Sequence, residues 1–125
     1  MKPNALARHE RLRSLTSVRR LFQHGEAGFV YPFRYLIFTE KSTSPDVEVL
    51  FSVPKRYHKR ANRRNLLRRR TKEAYRLHKQ ALVEAVKRGD SSFDVALIYS
   101  AREVLPYKTI KHAVVNILAE LQKRC

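Results

Sequence analysis

A dense run of cations over residues 55–76 constrains this chain more than any other segment. The run reads KRYHKRANRRNLLRRRTKEAYR, in which eleven of 22 residues are Lys or Arg and only Glu73 is acidic. Neither proline nor glycine occurs again before Gly89, so the pattern predicts a helix from about residue 59 or 60 to residue 87. Like charges one turn apart repel by a few tenths of a kcal/mol each. Such a helix therefore needs packing on one side and favours an anionic partner on the other.

The predicted helix has two distinct faces when its residues are placed about 100° apart. A core arc carries Leu67, Thr71, Ala74, Tyr75 and His78. The adjacent cationic arc carries Asn65, Arg68, Arg69, Lys72 and Arg76. The planar guanidinium group of arginine can donate two parallel hydrogen bonds to a phosphate, and each neutralised phosphate releases counterions. The cationic arc therefore predicts binding to a polyphosphate backbone, with a merely solvated basic face as the alternative.

Composition agrees with one small domain that binds a polyanion. The chain has 125 residues, a formal charge of +16 and 43% hydrophobic residues, enough for a core. We expect a single RNA-binding domain over residues 1–125, in which residues 1–10 are flexible. No apolar stretch approaches the length of a membrane span or follows the basic N-terminus as in a secretory signal, so we interpret the chain as cytoplasmic.

Residue types that carry catalysis or bind metals are sparse. The only cysteine is Cys125, and the five histidines show no H-E-x-x-H spacing. We find no protein-based catalytic cluster and no metal site in the sequence. The three glycines are too few and too scattered for a phosphate-binding loop.

The remaining segments predict an α+β fold. A short helix over residues 14–24 is followed by strands at residues 33–39 and 47–53, which the turn sequence KSTSPD joins as an antiparallel hairpin. After the basic helix, the apolar run at residues 93–100 predicts a central strand, and residues 107–123 predict an amphipathic helix. The order α-β-β-α-β-α indicates a mixed α/β sandwich, a small sheet with helices packed on it.

The basic helix resembles the signature helix of the bacterial ribonuclease P protein subunit, whose core is R-N-x-x-[KR]-R-x-x-R-E-x-[FY]. The matching residues here are Arg64, Asn65, Arg68, Arg69, Lys72, Glu73 and Tyr75. Leu21-Phe22 before His24-Gly25 and the pair Phe93-Asp94 extend the likeness over about residues 10–122. The chain departs from the family at Val18, Lys72 and Ser100-Ala101, where an aromatic, an arginine and a basic pair are usual.

The resemblance implies a protein that assists a catalytic RNA. That RNA cleaves the 5′ leader from precursor tRNA with Mg²⁺, which the RNA mainly holds, so no catalytic residue and no metal ligand is expected in the protein. The implied partners are the catalytic RNA subunit and precursor tRNA, with no membrane and no protein partner. A left-handed β-α-β crossover is also implied. The residues expected to bind the RNA subunit are Arg63, Arg64, Asn65, Arg68, Arg69, Lys72 and Arg76.

A second site is implied for the leader, in a cleft between the first helix and one face of the sheet. Aromatic platforms beside a positive groove are the usual way to hold single-stranded RNA. The candidates are Phe22, Phe33, Tyr35, Lys55, Arg56 and Arg60. The alternation of a strand leaves open which sheet face lines the cleft, and Phe22 is equally compatible with a core position.

Two other functions fit part of the sequence. A ribosomal protein that fills a structural place on rRNA would explain the charge, the size and the missing catalytic residues. A sequence-specific DNA-binding protein is disfavoured because no helix-turn-helix spacing is present. The motif spacing and the aromatic residue in the first helix favour the ribonuclease P interpretation.

Overall fold

The computed structural model describes residues 15–125; the segment expected to be flexible, residues 1–10, lies outside the described residues. The described elements are α1 (Leu15–His24), β1 (Glu26–Val30), β2 (Phe33–Lys41), β3 (Val47–Ser52), α2 (Ala61–His78), α3 (Gln80–Lys87), β4 (Ser91–Tyr99) and α4 (Tyr107–Gln122). They confirm the mixed α+β class with helices packed on a small sheet. No helix in residues 15–125 is long and apolar enough to span a membrane.

The four strands form one sheet in the order β1-β2-β4-β3. β4 is antiparallel to β2 and parallel to β3. The predicted hairpin of residues 33–39 with 47–53 is therefore wrong, because β4 lies between these strands. Residues 95–99 of β4 are all buried, and a strand apolar on both faces is most stable at the centre of a sheet. The link from β3 to β4 is a parallel crossover, and its left hand stays a prediction.

Edge strand β1 was missed because it is short, mostly exposed and contains Gly28. Gly28 pairs with Tyr35 across the sheet, and a Cβ atom at Gly28 would lie 2.2 Å from Cζ of the Tyr35 ring. Only glycine therefore lets this ring pack against the edge strand. A glycine in a strand weakens the sequence pattern but permits this close approach.

The two faces of the sheet bury separate hydrophobic cores. The larger core contains Phe33, Tyr35 and Ile37 of β2, together with the buried sides of α2, α3 and α4. The smaller core joins Leu21 of α1 to Leu36, Ala96 and Ile98. The alternation of β2 thus sends its three residues in the larger core to the later helices and Leu36 toward α1. We call the sheet surface on the side of Leu36 the α1 face.

This alternation corrects the prediction for Phe33 and Tyr35. Phe33 is 0% exposed and its ring meets the Tyr99 ring edge to face, with centroids 5.6 Å apart. Tyr35 is buried in the same core. Neither ring lies on the α1 face, so neither can stack on RNA bound in a cleft beside α1.

The long basic helix forms largely as expected but is interrupted. Lys79 separates α2 from α3 while keeping helical dihedrals, φ −73° and ψ −19°. The predicted core arc is confirmed for Leu67, Thr71, Ala74 and Tyr75, all of which are buried. It is wrong for His78, which is exposed at the last position of α2.

The smaller core predicts a test of how α1 is anchored. Leu21 is fully buried whereas its neighbour Phe22 is half exposed. We expect Leu21→Ala to lower the free energy of unfolding by about 2–5 kcal/mol, and Phe22→Ala to change it by about 1 kcal/mol or less. Urea denaturation of both variants measures this. Equal, small losses in the two variants would contradict the anchoring of α1 by Leu21.

Candidate nucleic-acid interface

The cationic arc of α2 forms a continuous groove on the protein surface. The groove has a volume of about 470 Å³ and is lined by Asn65, Arg68, Arg69, Lys72, Glu73 and Arg76. These residues lie three and four positions apart, the spacing that places side chains on one side of a helix. Five of the seven residues expected to contact an RNA subunit are thus brought together. We call this surface the α2 groove.

Two polar side chains hold arginines within the α2 groove. Glu73 accepts two hydrogen bonds from Arg76, from Nε at 3.1 Å and from Nη2 at 2.6 Å. The bond to Arg76 lowers the pKa of Glu73, and it raises the pKa of Arg76. Asn65 accepts a hydrogen bond of 3.3 Å from Nη1 of Arg68. Asn65 and Glu73 therefore order neighbouring guanidinium groups before any phosphate arrives.

The other two predicted contacts, Arg63 and Arg64, lie outside the α2 groove. Arg64 donates from Nη1 to the backbone carbonyls of His58 and Lys59, at 3.2 and 2.8 Å. It thereby ties the basic connector, residues 53–60, to the first turns of α2. Arg63 is exposed, and its position on the helix turns it away from the groove.

A buried histidine anchors the same connector. His58 is almost fully buried, with Nε2 2.7 Å from the carbonyl oxygen of Ala101 and its ring 5.6 Å from the Tyr99 ring. Lys55, Arg56 and Arg60, which flank His58, are all exposed. A buried residue between exposed cations thus fixes their backbone at the end of β3. In the sequence, nothing about His58 distinguishes it from the other residues of the run that are neither Lys nor Arg.

The α1 face carries a second exposed surface. Strand register aligns Phe29, Arg34, Ile98 and Ser52 in one row across all four strands. Phe29 is 61% exposed and Phe22, on the helix that covers this face, is 50% exposed. Arg34 is also exposed. The row therefore presents an aromatic ring and a cation to solvent, and sequence reasoning missed both because it missed β1 and the orientation of β2.

Ion pairs fix α1 over the other part of this face. Nη2 of Arg20 lies 3.2 Å from Asp94 and 3.0 Å from Glu40, and its Cζ lies 4.6 Å from the centroid of the Phe38 ring. Burial raises the pKa of the Asp94 carboxyl, against the opposing effect of Arg20. These contacts, with Leu21, hold α1 beside the open row.

Acidic and histidine side chains do not assemble a metal site in this part of the protein. Within residues 15–125 no three His, Cys, Asp or Glu side chains come together in a group able to hold an ion. The described residues therefore do not fit a protein-bound Mg²⁺.

A sheet with an arginine groove on one side and an aromatic, basic row on the other defines an RNA-binding protein. Comparisons with known proteins identify the family of RNA-binding proteins to which the chain belongs. The family model described as Ribonuclease P matches residues 6–122. The chain therefore belongs to the ribonuclease P protein family, and the resemblance of its basic helix is confirmed.

Individual relatives agree with this family. The ribonuclease P protein component of Chlorobaculum tepidum is 34% identical, with 94% of this chain and 86% of the relative covered. The component of Porphyromonas gingivalis is 29% identical, with 93% and 85% covered. The solved RNase P protein of Thermotoga maritima superposes with a TM-score of 0.69 at 22% identity, covering 89% of this chain and 96% of that one, and supports the fold.

The family membership decides between the functions left open by the sequence. The chain is a protein component of a ribonucleoprotein endoribonuclease that processes tRNA, with an RNA subunit as its partner, and is not a ribosomal protein.

The arginines of α2 predict unequal effects on stability. Arg70 lies outside the α2 groove and donates from Nη1 to the carbonyl oxygen of Leu105 at 2.6 Å. We expect Arg70→Ala to lower the free energy of unfolding by about 1.5–3 kcal/mol, since the variant cannot form this charged hydrogen bond to a part-buried carbonyl. Arg69→Ala, at an exposed position, should change it by about 0.5 kcal/mol or less. Urea denaturation compares the two, and a larger loss for Arg69→Ala would contradict these assignments.

Proposed function

We propose that this protein assists removal of the 5′ leader from precursor tRNA by binding two RNAs on opposite sides of its sheet. The α2 groove binds the catalytic RNA subunit, and the α1 face binds the single-stranded leader. The observation that carries the proposal is the α2 groove, where five residues of the family motif converge on one exposed surface. The whole chain acts as a single RNA-binding domain of the bacterial cytoplasm.

The chemistry of the α2 groove supports phosphate binding by structured RNA. Arg68 and Arg69 supply guanidinium groups, and Asn65 and Glu73 limit the freedom of the arginines they contact. A guanidinium group that is already ordered loses less conformational entropy when it binds a phosphate. Arg64 contributes through the basic connector that it holds in place. Arg63 remains a proposed contact outside the groove, on an exposed part of the same helix.

The α1 face supports binding of an unpaired strand. Phe22 and Phe29 are exposed rings on which bases can stack, and Arg34 lies beside Phe29 in the row. Lys55 and Arg56 follow β3 at the end of the sheet where Ser52 completes that row. Arg60 extends the positive charge toward α2. Phe33 and Tyr35 are replaced in this proposal by Phe29 and Arg34.

Cleavage itself is assigned to the RNA. We propose that Mg²⁺ is held mainly by the RNA subunit, consistent with a protein whose described residues gather no ligand cluster. The protein contributes by reducing repulsion between two polyanions and by fixing the leader. Its stimulation of cleavage is therefore expected to be largest at low salt and low magnesium.

The α2 groove predicts the salt dependence of RNA binding. Replacing Arg68, Arg69 and Lys72 together by Ala should weaken binding to the RNA subunit and reduce the slope of log K against log salt by about 0.7–0.9 for each phosphate that the variant no longer neutralises. Filter binding at several salt concentrations measures both. The matched control replaces Lys41, Lys87 and Lys123, three exposed lysines at the far end of the sheet from the connector. Equal losses in the two triple variants would show that net charge alone governs binding.

The α1 face predicts a defect specific to the leader. Phe22→Ala and Phe29→Ala should each weaken binding of the holoenzyme to leader-bearing precursor tRNA by about 5- to 150-fold, as expected for loss of one stacking platform. Binding of mature tRNA should be unchanged because it has no leader. Leu15→Ala, which removes an exposed apolar side chain from the same helix, is the control. A loss shared equally by both RNAs would refute leader binding at these rings.

A further inference from the structure

A second groove lies on the helical side of the sheet, between the first half of α4, the end of α2 and the turn after β1. It has a volume of about 650 Å³, and Val30, Tyr31, His78, Lys108, Lys111 and Val115 are among the residues that line it. Within residues 15–125, no acidic side chain lines it. We call this surface the α4 groove. Its lining residues differ from those of the α2 groove and from the row on the α1 face.

Tyr31 is the ring that makes the α4 groove suitable for a nucleobase. The side chain is 54% exposed, although it lies in a groove with an apolar wall formed by Val30 and Val115. Its hydroxyl donates a hydrogen bond of 3.0 Å to Oε2 of Glu103, which lies outside the groove lining. This bond holds the tip of the ring at one point. A tethered aromatic ring beside aliphatic side chains is a stacking platform for an unpaired base.

The rim of the α4 groove is positive. Lys108 and Lys111 lie one turn apart on α4, and both are exposed. His78 and His112 also line the groove and offer ring nitrogens as hydrogen-bond partners. An apolar wall with a cationic rim complements a base joined to a phosphate. It complements an apolar segment of another protein less well, because the lysines would then be desolvated without a partner.

The α4 groove lies on the side of the sheet that carries α2, and this position favours the RNA subunit over the leader as its occupant. His78, which lines it, lies two residues beyond Arg76, which lines the α2 groove. The row proposed to hold the leader lies on the opposite face of the sheet. We propose that the α4 groove binds an unpaired nucleotide of the RNA subunit and so extends the α2 interface around the end of that helix. This inference rests on the proposed function of the α2 groove.

Two pairs of variants test the groove by affinity. Lys108→Ala with Lys111→Ala should lower the salt slope for RNA-subunit binding by about 1.4–1.8, whereas Lys41→Ala with Lys87→Ala removes the same charge elsewhere and should lower it less. Tyr31→Leu should weaken binding by about 5- to 150-fold, and Tyr31→Phe, which keeps the ring, by about twofold or less. Thermal unfolding of each variant checks that it is folded. Unchanged affinity and slope in the folded lysine pair and in Tyr31→Leu would overturn the proposal.

A site-directed probe identifies the occupant. Cys125→Ser removes the only cysteine, and Val115→Cys then carries a tethered iron chelate that cleaves nearby RNA. We expect cleavage of the RNA subunit at unpaired nucleotides in the assembled holoenzyme, with precursor tRNA left intact. Cleavage confined to precursor tRNA, absence of RNA cleavage, or self-association abolished by Tyr31→Leu would each contradict this occupant. The α2 triple variant is measured in parallel, so loss of the α4 site is distinguished from failure of the proposed function.

Discussion

Burial of one side of α2 is the interaction on which both the fold and the proposed surface for the RNA subunit depend. The helix begins without a side-chain cap and without an acidic residue in its first turn, although its sequence is strongly basic. Capping and helix-dipole effects therefore give it little support at this end. Leu67, Ala74 and Tyr75 are almost completely buried, and the Tyr75 ring meets Phe51 of β3 edge to face at 5.7 Å. Packing against the sheet and α4 thus stabilises a helix even though the positive side chains on its exposed side repel one another.

The alternation of the sheet also matters for function, because it separates the two surfaces that we propose bind RNA. The first three odd-numbered residues of β2 enter the larger core, whereas Leu36 joins Leu21 beneath α1. Only one of the described helices covers the α1 face, so Phe29 and Arg34 remain exposed there. The proposed site for the catalytic RNA therefore lies on the helical side of the sheet, and the proposed site for a single strand lies on the opposite face. The buried His58 links the two sides by fixing the basic connector between them.

The sequence predicted best those features that depend on local periodicity. The two arcs of α2 follow from the helical repeat alone, and the structure places Leu67 in the core and Arg68 in the groove. The strand pairing failed because it depends on competition among distant segments, in which the wholly apolar end of β4 takes the centre. The same dependence explains the error at Phe33, since a strand pattern identifies two faces without saying which helix covers each. Strand β1 was not predicted because Gly28 weakens the strand pattern. The reason for a glycine at this position is visible only in the structure, where the Tyr35 ring packs against it.

Hydroxyl-radical footprinting of the protein side chains, read by mass spectrometry, tests the separation of the two surfaces most directly. The protein is exposed to radicals alone, with the RNA subunit, and with the RNA subunit plus leader-bearing or mature tRNA. Our account predicts that the RNA subunit protects the arginines of α2, and that protection of Phe22 and Phe29 appears only when a leader is present. Protection of both rings by the RNA subunit alone, or of the α2 arginines by the leader alone, would contradict it.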